Sequence, residues 1–150
     1  MVYLGIIAVI FGADFFIKRT IDKKMALGEK KTYAKGKIIL KKYYNKGFAL
    51  DKMDEKPKLV AYGSGLVCSL LFVKFATLLL QKGNKGIKTA LAMVIGGAAS
   101  NVYDRFRKKH VIDYISFGVK WKPLRNIVFN LSDFCILLGA LLFMVFSKED

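Results

Sequence analysis

Leu59 to Leu80 reads LVAYGSGLVCSLLFVKFATLLL, twenty-two residues interrupted by one charge, Lys74. A helix crossing a bilayer needs ~20 mostly apolar residues, within ~17 to 25, so this stretch can cross. Three further apolar blocks stand around it: Val2 to Ile17, Ile87 to Tyr103 and Ile127 to Phe146. The last is also long enough, the third is marginal and the first is a little short. Val2 to Ile17 has the length of a secretory h-region. No basic residues precede it and no small-residue cleavage site follows it, so it is expected to remain as a span. The expectation is an α-helical membrane protein with four transmembrane helices and a small β-containing extramembrane segment between helices 1 and 2. It forms a single integral-membrane domain over 1–150, with spans at about 2–17, 59–80, 87–103 and 127–146.

Composition agrees with that class. Of 150 residues 54% are hydrophobic and mean hydropathy is +0.34, yet the formal charge is +15. The apolar residues are gathered in blocks separated by lysine-rich stretches rather than spread periodically. The first connection, Lys18 to Lys58, holds fourteen Lys or Arg, and the third, Asp104 to Asn126, holds seven. Within the first, the branched and aromatic residues of Lys37 to Tyr44 run into Asn45-Lys46-Gly47-Phe48-Ala49, the pattern of a short strand entering a turn. Gln81 to Gly86 is a tight turn, which makes spans two and three antiparallel neighbours. An even number of spans separates the long connections, so both fall on one side of the membrane. Nucleic-acid binding is a poor fit to a chain that is mostly membrane-embedded.

Few other residues suggest chemistry. Cys68 and Cys135 each lie inside an apolar run, and no Cys or His cluster has metal-ligand spacing, so neither a metal nor another cofactor is expected. His110 reads as a loop residue beside Arg107, Lys108 and Lys109. Lys74 reads as a lysine that snorkels to an interface or faces the bundle. Trp121, the single tryptophan, suits a membrane interface. Gly96, Gly97, Ala98 and Ala99 give span three a small face for close helix packing.

Two aspartates stand apart from this background: Asp113 in Val111-Ile112-Asp113-Tyr114-Ile115, and Asp133 at the head of the last apolar run, in Asn130-Leu131-Ser132-Asp133. An ionisable group at bilayer depth costs ~3 kcal/mol on insertion scales, so its default reading is functional, with a partner. Each is expected to be the partner of the other. Two carboxyls held close cannot both ionise cheaply, so they share a proton near neutral pH. That is the equipment of an aspartyl hydrolase, and Asp14, Asn45 and Asp104 can converge on the same face.

Taken in order, Asp14-Phe15-Phe16-Ile17-Lys18, Asn45-Lys46-Gly47-Phe48-Ala49, Gly96 through Arg105, Val111 to Ile115 and Phe129 to Asp133 resemble the signature blocks of signal peptidase II, the bacterial lipoprotein signal peptidase. The resemblance spans essentially the whole chain. Phe15, Ser100 and Leu50 depart from the family pattern, where Gln, Gly and an aromatic are usual. The resemblance implies a catalytic dyad of Asp113 and Asp133. It implies supporting or substrate-binding roles for Asp14, Asn45, Gly47, Asn101, Asp104, Arg105 and Asn130, with Arg105 organising rather than reacting. The implied substrate is a prolipoprotein carrying a diacylglyceryl-modified cysteine, cut just before that cysteine. The other partners expected are membrane lipids, and the chain is expected to act as a monomer. Phe48 and its turn are read either as a lid over the site or as an ordinary anchoring aromatic.

Orientation sets two readings against each other. The connections bearing the site hold twenty-one Lys or Arg against four at the other end of the spans (Lys82 and Lys85 in the short turn, Lys88 just after it and Lys148 in the tail), which by the positive-inside rule places the site in the cytoplasm. The resemblance places it on the extracytoplasmic face of the cell membrane, and that is the expectation adopted. The basic connections could grip anionic headgroups or an acidic partner. Two non-peptidase readings stay open: a non-catalytic relative that binds lipoproteins or lipid, and a small proton-conducting membrane protein. A metal-dependent phospholipid transferase needs acidic residues repeated along a helix, which Asp104, Asp113 and Asp133 are not.

Overall fold

The computed structural model describes residues 1–47 and 55–148. Phe48, read above as a lid or an anchor, lies outside the described residues, as do Ala49 and Leu50. The order of elements is α1 (Val2–Lys24), β1 (Lys30–Tyr33), a 3-10 turn (Ala34–Gly36), β2 (Ile38–Asn45), α2 (Pro57–Leu79), α3 (Lys85–Lys108), β3 (Val111–Phe117), the short α4 (Lys122–Asn126) and α5 (Leu131–Phe146).

α3 is the central helix and packs against α1, α2 and α5. Its small residues make the contacts possible, on two faces rather than one. A Cβ on Gly96 would come within 3.1 Å of the Ile7 carbonyl oxygen on α1, and one on Gly97 within 2.6 Å of the Ser132 carbonyl oxygen on α5. Lower in the bundle, Phe75, Leu78, Ile87, Leu91 and Ile95 form an apolar core. Much of α2 remains exposed, including Leu59, Leu66, Val67, Leu70 and Val73. An apolar face of that extent on one helix is the mark of a surface that meets lipid or a partner. Among the described residues α2 is the one helix long and apolar enough to cross a membrane by length and composition, and α5 is a shorter apolar helix of 16 residues.

The strands form a three-stranded antiparallel sheet in the order β1-β2-β3, with a register irregularity between Leu40 and Tyr43. β2 matches the strand expected from Lys37 to Tyr44. The sheet is not confined to the segment between the first two helices, however, because β3 comes from the connection after α3. Pairing of β2 with β3 brings Tyr43 opposite Asp113 and Asn45 opposite Val111, which joins the two long connections in one layer. Ile21 of α1 and Met25 just after it pack against Ile112 and Tyr114 of β3.

Helix ends differ from the expected spans for local reasons. α1 continues to Lys24 instead of stopping at Ile17, because Ile21 keeps a buried face on an otherwise charged turn. α3 likewise extends from Lys85 to Lys108 rather than from Ile87 to Tyr103. α5 begins at Leu131 and not at Ile127. Asn130 caps it, accepting the Asp133 N–H while the Asp133 side chain accepts the Asn130 N–H, a reciprocal capping box. The residues before the cap are extended and bridge to β3: Phe129 N–H donates to Ile115 O at 2.6 Å.

Candidate active site

The capping box decides where Asp133 sits. As the third residue of α5 it turns one oxygen, Oδ2, back to the Asn130 N–H at 2.9 Å, and its Oδ1 accepts from Asn101 Nδ2 at 3.0 Å. Asp113, at the middle of β3, receives Asn130 Nδ2 on Oδ1 at 2.6 Å and Asn45 Nδ2 on Oδ2 at 3.0 Å. Asn130 therefore bonds both carboxyls, and both line one cavity. Burial raises the Asp113 pKa to about 7, and the negative charge of Asp133 adds to the rise against the lowering hydrogen bonds from Asn45 and Asn130.

Behind the two carboxyls lies a buried ionic layer. Lys18 is 1% exposed; its ammonium contacts Asp14 Oδ2 at 2.6 Å and Asp104 Oδ2 at 3.3 Å, and donates to Asn101 Oδ1 at 2.7 Å. Asp14 also accepts from the Ser100 hydroxyl at 2.7 Å, the Ser132 hydroxyl at 2.6 Å and the Tyr114 phenol at 3.0 Å. Burial and the Asp14 charge raise the Tyr114 pKa above the usual phenol range, so the phenol stays a donor. Tyr114 O in turn accepts the Leu131 N–H, tying the first turn of α5 to the layer. Asp104 is completed by Lys108 at 2.8 Å, one turn along α3.

This layer fixes the orientation of the Asn101 amide. Its oxygen is held by Lys18 and, at 3.2 Å, by Asn130 Nδ2, which leaves its nitrogen for Asp133. Of the supporting residues expected from the sequence, Asn45, Asn101 and Asn130 bond the carboxyls directly, while Asp14 and Asp104 stand one step behind, joined through Lys18. Arg105 lines the cavity and donates to the Gly47 carbonyl at 3.2 Å, and Gly47 donates its N–H to Asn45 Oδ1 at 3.0 Å. Lys18, Ser100, Ser132 and Tyr114 were absent from the expected site. The signal for Lys18 was present in its position one turn after Asp14. His110 lies outside the cavity, its ring 3.9 Å from that of Tyr44, and burial lowers its pKa. Lys74 is exposed.

The cavity holds about 640 Å³, polar around the carboxyls and apolar below them. Gly63, Val67 and Cys68 of α2 form one wall, Ile136 and Leu137 of α5 the other, with Ala98 and Val102 of α3 at the back. A paired set of carboxyls over an apolar cleft can hold a chain with an extended carbonyl at the polar end. It can also activate water without a covalent intermediate. Among the described residues no group of three or more His, Cys, Asp or Glu is gathered as a metal ion would need.

The class is that of a membrane hydrolase of the aspartic type, and it is the family match that assigns it. Residues 6–148 match the family model of signal peptidase (SPase) II, and the chain belongs to that family. It is 31% identical to the lipoprotein signal peptidase of Vibrio parahaemolyticus over 99% of this chain and 89% of that one. With the lipoprotein signal peptidase of Halothermothrix orenii it shares 28% over 100% of this chain and 97% of that one. Among solved structures, a bacterial membrane enzyme determined by the in meso method at 2.3 Å superposes with a TM-score of 0.84 at 17% identity, covering 99% of this chain and 88% of that one. That likeness establishes the shared fold.

Proposed function

We propose that the chain is a multi-pass membrane endopeptidase that removes the signal peptide from diacylglyceryl-modified prolipoproteins, cutting before the lipid-bearing cysteine, with Asp113 and Asp133 as its catalytic pair. The observation that carries this reading is the shared frame of the two carboxyls: each accepts two hydrogen bonds, Asn130 serves both, and both open onto the same cavity. Two carboxyls in such a frame share one proton. The ionised member draws a proton from a water, and the protonated member donates to the scissile carbonyl oxygen as the tetrahedral centre forms. The proton taken from water then passes to the cysteine nitrogen as the C–N bond breaks, and the other carboxyl takes back a proton from a hydroxyl of the collapsing tetrahedral centre, which restores the one-proton pair. Asp14 and Asp104 hold Lys18, Lys18 holds Asn101, and Asn101 holds Asp133, none of the first three touching substrate.

The apolar cleft between α2 and α5 suits a lipid-bearing peptide that arrives from within the bilayer. α1, α2, α3 and α5, of 23, 23, 24 and 16 residues, are the four membrane-crossing helices of the single domain. Charges within α1 and α3 are supported by pairing inside the bundle, as the burial of Asp14, Lys18 and Asp104 illustrates. The site faces the extracytoplasmic side, where a lipidated precursor presents its cleavage point.

The reading is tested with Asp113→Asn and Asp133→Asn, each reconstituted and given a prolipoprotein with a diacylglyceryl cysteine. Both variants are expected in the membrane fraction with processing abolished. Processing retained by both removes the peptidase reading.

A further inference from the structure

The end of the sheet away from Asp113 has a different chemistry. There Ile38 pairs with Tyr33 on one side and Phe117 on the other. Just past this row the Gly118 N–H donates to Lys37 O at 2.9 Å, which sets the Lys35–Lys37 turn beside the chain leading through Lys120 into α4. Lys35, Lys37, Lys120 and Lys122 are all exposed. So are three large apolar or aromatic side chains among them: Trp121 at 67%, Tyr33 at 52% and Ile38 at 43%. No Asp or Glu occurs between Lys30 and Gly47 or between Tyr114 and Ser132, so neither segment supplies a neutralising charge.

Lysines alone would fit any acidic partner. Interleaved with an exposed tryptophan, tyrosine and isoleucine, they match a boundary that is anionic at its surface and apolar just beneath. The sheet is tied to the same helices that the proposed function sets in the membrane. The sheet is bound to α1 through the Ile21 and Met25 cluster and to the head of α5 through the Phe129–Ile115 bridge.

We propose that this sheet tip docks onto the anionic lipid headgroups of the membrane that holds the helices. Docking has a consequence for the site, because Asp113 rides on the sheet and Asp133 on a helix. A sheet held at the headgroup layer keeps the two carboxyls in their common frame. The inference rests on the membrane setting and not on the identity of the substrate.

Trp121 is the only tryptophan and reports on the tip directly. The full chain is placed in lipid nanodiscs of phosphatidylglycerol or of phosphatidylcholine, and tryptophan emission is recorded with and without lipids brominated near the headgroup. In phosphatidylglycerol the emission is expected to shift to the blue and to be quenched. In phosphatidylcholine it stays water-like, and ~1 M salt, where the screening length falls to ~3 Å, reverses the phosphatidylglycerol shift. Lys35→Gln, Lys37→Gln, Lys120→Gln and Lys122→Gln combined should erase the difference between lipids with circular dichroism unchanged. Equal emission in the two lipids overturns the proposal, as does a difference that survives both salt and the four substitutions. A shift that arises only when an acidic protein is added assigns the surface to a protein and overturns it as well.

Discussion

Asn130 donates its side-chain nitrogen to Asp113 Oδ1 at 2.6 Å, the shortest of the bonds to either carboxyl of the pair. The same residue caps α5, its oxygen accepting the Asp133 N–H at 3.0 Å. One fully buried asparagine therefore sets a helix start and couples a strand carboxyl to a helix carboxyl.

These two tasks separate under substitution. Asn130→Asp keeps an acceptor for the cap but replaces the donor to Asp113 with a second acceptor. Asn130→Ala loses both, at a cap cost of about 0.5–2 kcal/mol. Processing is expected to collapse in both variants, while in detergent the unfolding midpoint falls at every pH in Asn130→Ala and, in Asn130→Asp, falls chiefly as pH rises and the third buried carboxyl ionises beside the pair. Full activity in Asn130→Asp would show that the bond to Asp113 has no catalytic consequence.

The raised Asp113 pKa gives a pH signature in two observables. A pair working with one proton loses it as pH rises through about 7, so the cleavage rate should fall along a basic limb near that value. Stability follows the same proton. With a folded pKa of about 7 against an ordinary 3.8, Asp113 costs nothing below about 4, and stability is lost as pH rises from there through 7. Asp113→Asn, though inactive, should unfold at a higher temperature than the parent at pH 8, with the gap closing at low pH. A gap that is independent of pH would contradict the assignment.

Lys18 tests the buried layer. Its removal leaves Asp14 and Asp104 buried without their shared cation, a loss that typically costs about 3–5 kcal/mol. Lys18→Met is expected to lower the unfolding midpoint steeply. Adding Asp14→Asn should recover part of that loss, so the double variant is less damaged than the sum of the singles, a coupling measurable by a double-mutant cycle. Strict additivity would mean that the 2.6 Å contact carries no net interaction.

Much of this arrangement was legible in the chain, and what was not has identifiable causes. Asp113 and Asp133 stood out because a carboxyl in an apolar run has no structural excuse, and β2 showed strand composition ahead of a turn. β3 did not, since VIDYISF is buried along nearly its whole length and so lacks the polar alternation of a half-exposed strand. The α5 boundary was misplaced because hydropathy runs through Ile127 to Phe129, while the true signal was the Asn130-x-x-Asp133 capping pair. Lys18 looked like the first residue of a solvated connection. Its burial follows from α3 packing against α1 and bringing Ser100, Asn101 and Asp104 to it, which no local pattern encodes.

The two adjacent glycines of α3 should differ in consequence. A Cβ at Gly97 would meet the Ser132 carbonyl oxygen at 2.6 Å and Ile136 Cγ1 at 3.0 Å, and Ser132 is the residue before Asp133. Gly97→Ala must therefore push the head of α5 away from α3 and lengthen the Asn101–Asp133 bond, now 3.0 Å. Misplacing a reacting group by ~1 Å costs about a hundredfold in rate, so processing should fall by that order. At Gly96 the nearest contacts are 3.1 Å, to Ile10 Cβ and the Ile7 carbonyl, on a helix that carries neither Asp113 nor Asp133. Gly96→Ala is expected to lower the unfolding temperature modestly and to keep most of the rate. If the two alanine variants process substrate equally well, the Gly97 contact does not position Asp133.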